Sequence, residues 1–321
     1  MRIGMTTTVP VEVIYAAGHI PVDLNNIFVE HPDPVSLVRS AEFEGFPRNS
    51  CSWLKGMYTL ALNNGCDALL TVTEGDCSNT KAMAEALTQA GLPIIPFAYP
   101  HDRKYESLER EINKLIRALG TNRSDVDEAK RRLDKIRRKI RLLDERAEEY
   151  PSYINHYYQV CSSDFCSDPD RYEERVDEVL ANPGREAETN LRIGYIGVPP
   201  IFKDFYSYMD SLGVLVCFNE VQRQFSMPFD TEDITEQYLR FTYPYDVFGR
   251  IEDIKEQSKA RHLDGIIHYT QSFCYRQIQD MVLRANIDIP VLTVEGDIPA
   301  EVDNRTKIRL ESFAEMLEFR G

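Results

Sequence analysis

The residues best placed to do chemistry are cysteines that close two copies of one pattern. Asp67-Ala-Leu-Leu-Thr-Val-Thr73-Glu-Gly-Asp-Cys77 and Asp264-Gly-Ile-Ile-His-Tyr-Thr270-Gln-Ser-Phe-Cys274 share Asp, two aliphatics, Thr and Cys at identical spacing. A third thiol lies in Asn49-Ser-Cys51-Ser-Trp53-Leu-Lys55, which reads as a loop feeding a helix with Cys51 at or next to the N-cap. Aligned peptide dipoles at a helix N-terminus lower a thiol's pKa and favour the metal-binding thiolate. Seven cysteines, an odd number, in a chain with no secretory signal argue for free thiols or metal ligands rather than a disulfide framework. There is no C-x-x-C pair, the closest two being Cys161 and Cys166, so any cluster must draw its ligands from distant segments. Cys66, Cys161, Cys166 and Cys217 read as buried or half-buried small side chains.

Catalytic groups are harder to place. Glu12, Lys55, His268 and Asp297 could act beside the thiols, but each has an ordinary explanation: first-turn charge, surface cation, strand-face polar residue and turn residue, respectively.

The elements that must position these groups follow from the same repeat. Each copy is a short apolar run, a polar corner with Cys, about one helix of residues, then a second run opened by Pro93 or Pro290, which is a β-loop-α-β unit. Cys77 and Cys274 are therefore expected just past the carboxyl ends of parallel strands, the edge where open α/β sheets bind ligands. The helix-like stretch Pro10–Ala17, Gly18 as its stop and the strand Ile20–Leu24 are echoed by Phe205–Leu212, Gly213 and Val214–Phe218. Between the halves, Leu108, Ile112, Leu115 and Leu119, then Val126, Ala129, Leu133, Ile136, Ile140, Leu143, Ala147 and Tyr150, recur in steps of three and four. This predicts a helical hairpin used for packing, with Gly120 ending its first arm and Ser124 capping the second. The alternating charges of Lys130–Arg146 read as its solvated face. The expected fold is α/β: two Rossmann-like parallel-sheet domains, 1–104 (Cys51, Cys77) and 191–321 (Cys274), joined by a hairpin and connector over 105–190.

Composition narrows the function. A net charge of -15 excludes a broad nucleic-acid footprint, and no apolar run is long enough to span a bilayer. The cytoplasm is the default compartment. Arg192-Ile-Gly194-Tyr-Ile-Gly197-Val-Pro-Pro200 lacks the third glycine of a dinucleotide fingerprint, and no Walker loop, H-E-x-x-H or G-x-S-x-G is present.

Pro10-Val-Glu12-Val-Ile-Tyr-Ala16-Ala-Gly18-His-Ile-Pro21-Val, Cys51-Ser-Trp-Leu-Lys55 and Cys77, with Asp264-Gly265-Ile-Ile, Phe273-Cys274, Ile289-Pro290-Val-Leu-Thr-Val-Glu295-Gly-Asp297 and Arg305-Thr-Lys-Ile-Arg309-Leu-Glu311-Ser-Phe313-Ala-Glu315-Met-Leu, resemble the large subunits of the 2-hydroxyacyl-CoA dehydratase and benzoyl-CoA reductase family. The resemblance implies an iron–sulfur cluster, [4Fe-4S] or double-cubane, held by Cys51, Cys77 and Cys274 between two α/β domains. It also implies electrons from a separate ATP-hydrolysing iron–sulfur activator, a homo- or heterodimer with a related subunit, and an acyl-CoA substrate for an anaerobic lyase or reductase. Three other assignments stay open: a double-cubane reductase of small molecules, a non-catalytic cluster-holding partner, and a ligand-binding protein without cysteine chemistry. The chain departs from the usual pattern in two places. It begins almost at the Pro-x-Glu motif, without the usual preceding helical region, and Cys77 is followed by Ser78-Asn79 rather than an acidic residue.

Overall fold

The computed structural model describes residues 1–184 and 191–319. Strands β1 (Arg2–Met5), β2 (Ile20–Asp23), β3 (Ala68–Glu74) and β4 (Ile94–Ala98) form one sheet in the order β2-β1-β3-β4. Strands β5 (Leu191–Gly197), β6 (Val214–Asn219), β7 (Gly265–Gln271) and β8 (Val291–Gly296) form a second, ordered β6-β5-β7-β8. All pairings are parallel, with Ile3 opposite both Pro21 and Ala68, and Ile193 opposite both Val216 and Gly265. Helices cover the sheets, so strands such as β6 and β7 are buried at every position, as parallel strands between helical layers must be. The expected α/β architecture of two Rossmann-like units is the observed one.

The repeat's invariant positions are explained by local bonding. Asp67 and Asp264 each accept a backbone N–H from the start of the neighbouring central strand, that of Arg2, its first residue, or of Arg192, its second, both at 2.7 Å. Thr73 and Thr270 each donate to a carbonyl of the next strand, Phe97 or Val294, at 3.1 and 3.4 Å. Gly18 and Gly213 end equivalent helices, Val11–Ala16 and Phe205–Ser211, at φ of +69° and +70°, a conformation that costs glycine least. Strand β1 was not read from the sequence, because Arg2–Met5 carries too few residues for a periodic signal.

The hairpin helices Tyr105–Leu119 and Arg123–Glu145 pack on the first sheet, and Val126, Leu133, Ile136, Ile140 and Leu143 share a core with Ile3, Met5 and Leu70. Gly120 ends the first arm at φ +73°, but the second is capped by Asn122, whose side chain accepts the Asp125 N–H, and not by Ser124. Asn122 wins because it is the last residue in extended conformation before the turn, where a short carbonyl side chain reaches the orphan N–H groups. Nor is the charged face wholly solvated. Lys130 and Arg137 are each 3% exposed, with Lys130 paired to Asp134 and Arg137 to Glu12.

The connector ends the hairpin on Asp144, which accepts from Gln159 and Arg261. Its helix Ser152–Cys161 touches both halves: His156 stacks on Tyr206, centroids 4.2 Å apart, and the Val160 carbonyl accepts from Asn26. Among the described residues no helix is long and apolar enough to cross a membrane.

Candidate functional site

The carboxyl ends of the two sheets open into one cavity of about 140 Å³. Thr6–Thr8 follow β1, Asp23 ends β2 and Asn25 follows it, and Asp76 and Cys77 follow β3. Val198–Pro200 arrive from β5, and Gln271, Phe273 and Cys274 from β7. Cys51 enters beside Trp53 and Leu54, and His156 and Val160 supply a wall from the connector. The structure thus brings Cys51, Cys77 and Cys274, far apart in the chain, to one space.

Local geometry is the same at all three thiols. Each cysteine is the extended N-cap of a helix: Cys51 of Ser52–Leu60, Cys77 of Ser78–Gln89 and Cys274 of Tyr275–Ile278, with ψ of 131°, 133° and 131°. None of the three side chains makes a capping hydrogen bond, but nearby backbone N–H groups of the first turn, those of Trp53 and Leu54, of Asn79 and Thr80, and of Arg276, pull each thiol's pKa down. Phe273 carries a left-handed φ of +64° to turn Cys274 inward, a conformation that costs a bulky residue energy the fold must offset.

The expectation of depressed thiol pKa values does not hold for the protein without metal. Burial pushes the Cys51 thiol up to about 12, its N–H donors notwithstanding, and the nearby Cys274 and Cys77 push the same way. Burial also raises Cys77 and Cys274. Desolvation outweighs the helix termini, so a metal bound here would have to displace protons and supply the charge that keeps the thiolates ionised.

The donor set fits an iron–sulfur cluster: soft sulfur ligands at three helix N-termini in a mostly apolar cavity. Among the described residues no three His, Cys, Asp or Glu side chains lie close enough to share a single metal ion.

The secondary candidates have other partners and do not line the cavity. Glu12 is buried and bonded to Arg137 at 2.6 Å, Gln237 at 2.7 Å and Tyr238 at 2.8 Å. Burial alone would raise its carboxyl, but the Arg137 charge and these bonds hold it below the usual range. Lys55 is buried rather than a surface cation. Its Nζ donates to Glu42 and to the Arg48 carbonyl, both at 2.7 Å, bracing the loop that delivers Cys51. His268 is buried on β7 against Asp280 at 2.6 Å. The Asp297 carbonyl accepts from Gln271, whose own position is on the cavity. Cys66 and Cys217 are buried as expected, while Cys166 is exposed beside the buried Cys161.

Sequence reasoning missed several lining or neighbouring groups. Burial raises Asp76, adjacent to Cys77, to about 6, opposed by bonds from the Cys77 N–H and Thr80. Arg276 is buried, stacks over Tyr243 at 4.2 Å and brings its charge beside Cys274. His156 is held neutral, its pKa lowered by burial to about 3. The run Thr6–Thr8 after an apolar strand was a readable signal for the first sheet's edge; nothing local marked His156, which comes from the connector.

No curated protein matches the chain. The chain does match the family described as 2-hydroxyglutaryl-CoA dehydratase, D-component, over residues 6–317, nearly its whole length. On that coverage, the protein belongs to the 2-hydroxyglutaryl-CoA dehydratase D-component family.

Proposed function

We propose that this dehydratase-type component holds an iron–sulfur cluster on Cys51, Cys77 and Cys274 and acts on a 2-hydroxyacyl-CoA thioester, with electrons from a separate ATP-hydrolysing activator. The carrying observation is that three cysteines at helix N-termini, from both halves of the chain, open into one cavity. When bound, such a cluster supplies one-electron chemistry and Lewis acidity toward an oxygen of the substrate. The chain's own residues do the rest. Trp53, Leu54, Met57, Val198 and Phe225 exclude water from the thiols. Thr6–Thr8, Asn25 and Asn26 present hydroxyls and carboxamides that can orient a substrate's hydroxyl or carbonyl. Arg276 places positive charge beside Cys274 and favours its thiolate.

A second reading is a reductase of small molecules with a double-cubane cluster in the same cavity. Iron counting separates the two: about four irons per chain for a single cubane, about eight for the fused cluster. The test is anaerobic reconstitution with iron and sulfide, followed by visible spectroscopy. Wild type and Cys166→Ala should retain the cluster, and Cys51→Ala, Cys77→Ala and Cys274→Ala should lose it. A wild type that takes up neither iron nor acid-labile sulfide would end the proposal. Turnover of a 2-hydroxyacyl-CoA only with an activator and ATP then tests the electron supply.

A further inference from the structure

Two thiols outside the cavity meet each other. Cys161 ends the connector helix Ser152–Cys161 and is 5% exposed, whereas Cys166 lies beyond the following turn and is open to solvent. In that turn Phe165, Cys166 and Ser167 have φ of +55°, +53° and +61°. Three successive left-handed residues that carry side chains are costly, so the fold must hold them in place. Asp164 accepts the Cys166 N–H at 2.9 Å, and Ser167 donates to the Pro21 carbonyl at 2.7 Å. The turn brings Cys166 back to the end of the helix, where the side chains of Cys161 and Cys166 share a hydrogen bond and Tyr157 bonds to both.

The two sulfurs are not equivalent. Their shared bond lowers the Cys166 thiol from its ordinary range, and Tyr157 and the Arg175 charge add to the fall against an opposing effect of burial. The same bond raises Cys161, and burial raises it further. An exposed sulfur with thiolate character beside a buried thiol is the arrangement of an attacking and a resolving cysteine.

The turn also braces one side of the thiol cavity, although neither sulfur lines it. Asp164 accepts the Asp23 N–H at 2.8 Å, and the Ser163 hydroxyl donates to the Asp23 carboxylate at 2.6 Å and accepts from Asn26 at 3.3 Å. Asp23 and Asn26 line the cavity. Phe28, on the helix Leu24–Glu30 that Asp23 caps, meets the ring of Trp53 edge-on at 5.6 Å, and Trp53 lines the cavity too. Joining the two sulfurs displaces Cys166 and with it the turn that holds Pro21 and Asp23.

We infer that Cys161 and Cys166 form a peroxide-responsive dithiol, Cys166 attacking and Cys161 resolving, whose closure to a disulfide moves the β2 side of the thiol cavity. The inference needs neither a cluster nor a substrate in that cavity. Hydrogen peroxide is the oxidant. The Cys166 thiolate attacks one peroxide oxygen, an S–O bond forms as the O–O bond breaks, and the departing hydroxide takes up a proton to become water. Cys166 sulfur is thereby oxidised to a sulfenic acid and the peroxide is reduced. The Cys161 sulfur then attacks the Cys166 sulfur: the S–S bond forms, the S–O bond breaks, and hydroxide leaves as water with the Cys161 proton. Two thiols and one peroxide give one disulfide and two waters, and a dithiol reductant reverses the change by exchange.

The test treats the full chain, reduced and then freed of reductant, with hydrogen peroxide and reads two signals. Trypsin releases peptide 147–171, which carries Cys161 and Cys166 and no other cysteine, so the disulfide makes it lighter by two hydrogens. Emission of Trp53, the chain's single tryptophan, reports the cavity wall. Wild type should show both changes together, and dithiothreitol should reverse both. Cys166→Ser should lose both while leaving the three cavity thiols in place, and Cys161→Ser should stop at a sulfenic acid on Cys166 that dimedone labels. Cys166 is exposed, so Cys166→Ser should keep wild-type circular dichroism. A peptide 147–171 that keeps both thiols under peroxide overturns the inference. So does a disulfide that leaves the emission unchanged, or an emission change that survives in Cys166→Ser and so belongs to oxidation of the cavity thiols.

Discussion

The two α/β halves can be compared position by position, since each runs strand, helix, strand, three helices, strand, helix, strand. Cys77 and Cys274 occupy equivalent N-caps after β3 and β7. The place of Cys51, the N-cap of the third inserted helix, is taken in the other half by Asp246, whose carboxylate accepts the Phe248 N–H at 2.8 Å. The N-cap position is common to both halves, and what differs is what its side chain does. A carboxylate is consumed by the helix terminus. The Cys51 side chain makes no capping bond, so its sulfur lone pairs stay free for a metal. Duplicated architecture therefore yields three cavity thiols and not four.

The largest effects that could break the equivalence involve buried ion pairs. Glu12 and Glu220 each lie 1% exposed or less against an arginine, Arg137 at 2.6 Å and Arg250 at 2.6 and 2.8 Å. Removing one partner leaves a buried charge, so Arg137→Ala and Arg250→Ala should each cost about 3–5 kcal/mol in urea unfolding. A loss below ~1 kcal/mol in only one of them would mean the halves are not stabilised alike. Next comes His156, which belongs to neither half. Its folded pKa, lowered by burial to about 3, lies below the ordinary 6.5, so the unfolded chain binds its proton first and stability falls as pH drops from 6.5 toward 3. Between pH 7 and 5 this contributes roughly 2 kcal/mol of lost stability, and His156→Phe should remove that part while keeping the stack on Tyr206. His268 is also lowered by burial, but its bond to Asp280 opposes the shift, so His268→Phe should flatten the profile less. Identical pH slopes for wild type and His156→Phe would count against a buried neutral imidazole.

Cys51→Asp exchanges one half's cap for the other's. It should melt at or above wild type and about 1 kcal/mol above Cys51→Ala, because a carboxylate can cap the first-turn N–H groups that neither the thiol nor a methyl group bonds. It should nevertheless bind no more iron than the alanine variant. Iron retention by Cys51→Asp would show that oxygen serves at this position and that the contrast with Asp246 carries no functional weight.

Much of this was legible in the chain because it was written twice. The Asp, Thr and Cys of the repeat announced equivalent strand-corner-helix units, and the polar corner located the ligand edge of both sheets before any coordinates. The caps were legible less well: Asn122 and Ser124 are both good capping residues two positions apart, and only the backbone path decides between them. Burial was not legible at all for long charged side chains. Lys55, Lys130 and Arg137 have the composition of a surface, yet each is 3% exposed because a carboxylate or carbonyl far along the chain meets it. The thiol pKa values failed for the same reason: the helix terminus is a local feature, whereas desolvation depends on the opposite half closing over the site.

The smallest effect is the sharpest check on equivalence. Asp67 and Asp264 make the same bond, at 2.7 Å, to the backbone of Arg2 and of Arg192. Both bonds are solvent-exposed, so water competes and each carboxylate is worth only about 0.5–1.5 kcal/mol. Asp67→Ala and Asp264→Ala should therefore destabilise equally, within ~0.5 kcal/mol, and the double variant should show their sum, since the sites share no partner. Asp→Asn at either position keeps an acceptor oxygen and should recover part of the loss. A large excess at Asp264 alone would mean that this aspartate does more than tie two strands, and that the repeat preserves it for different reasons in the two halves.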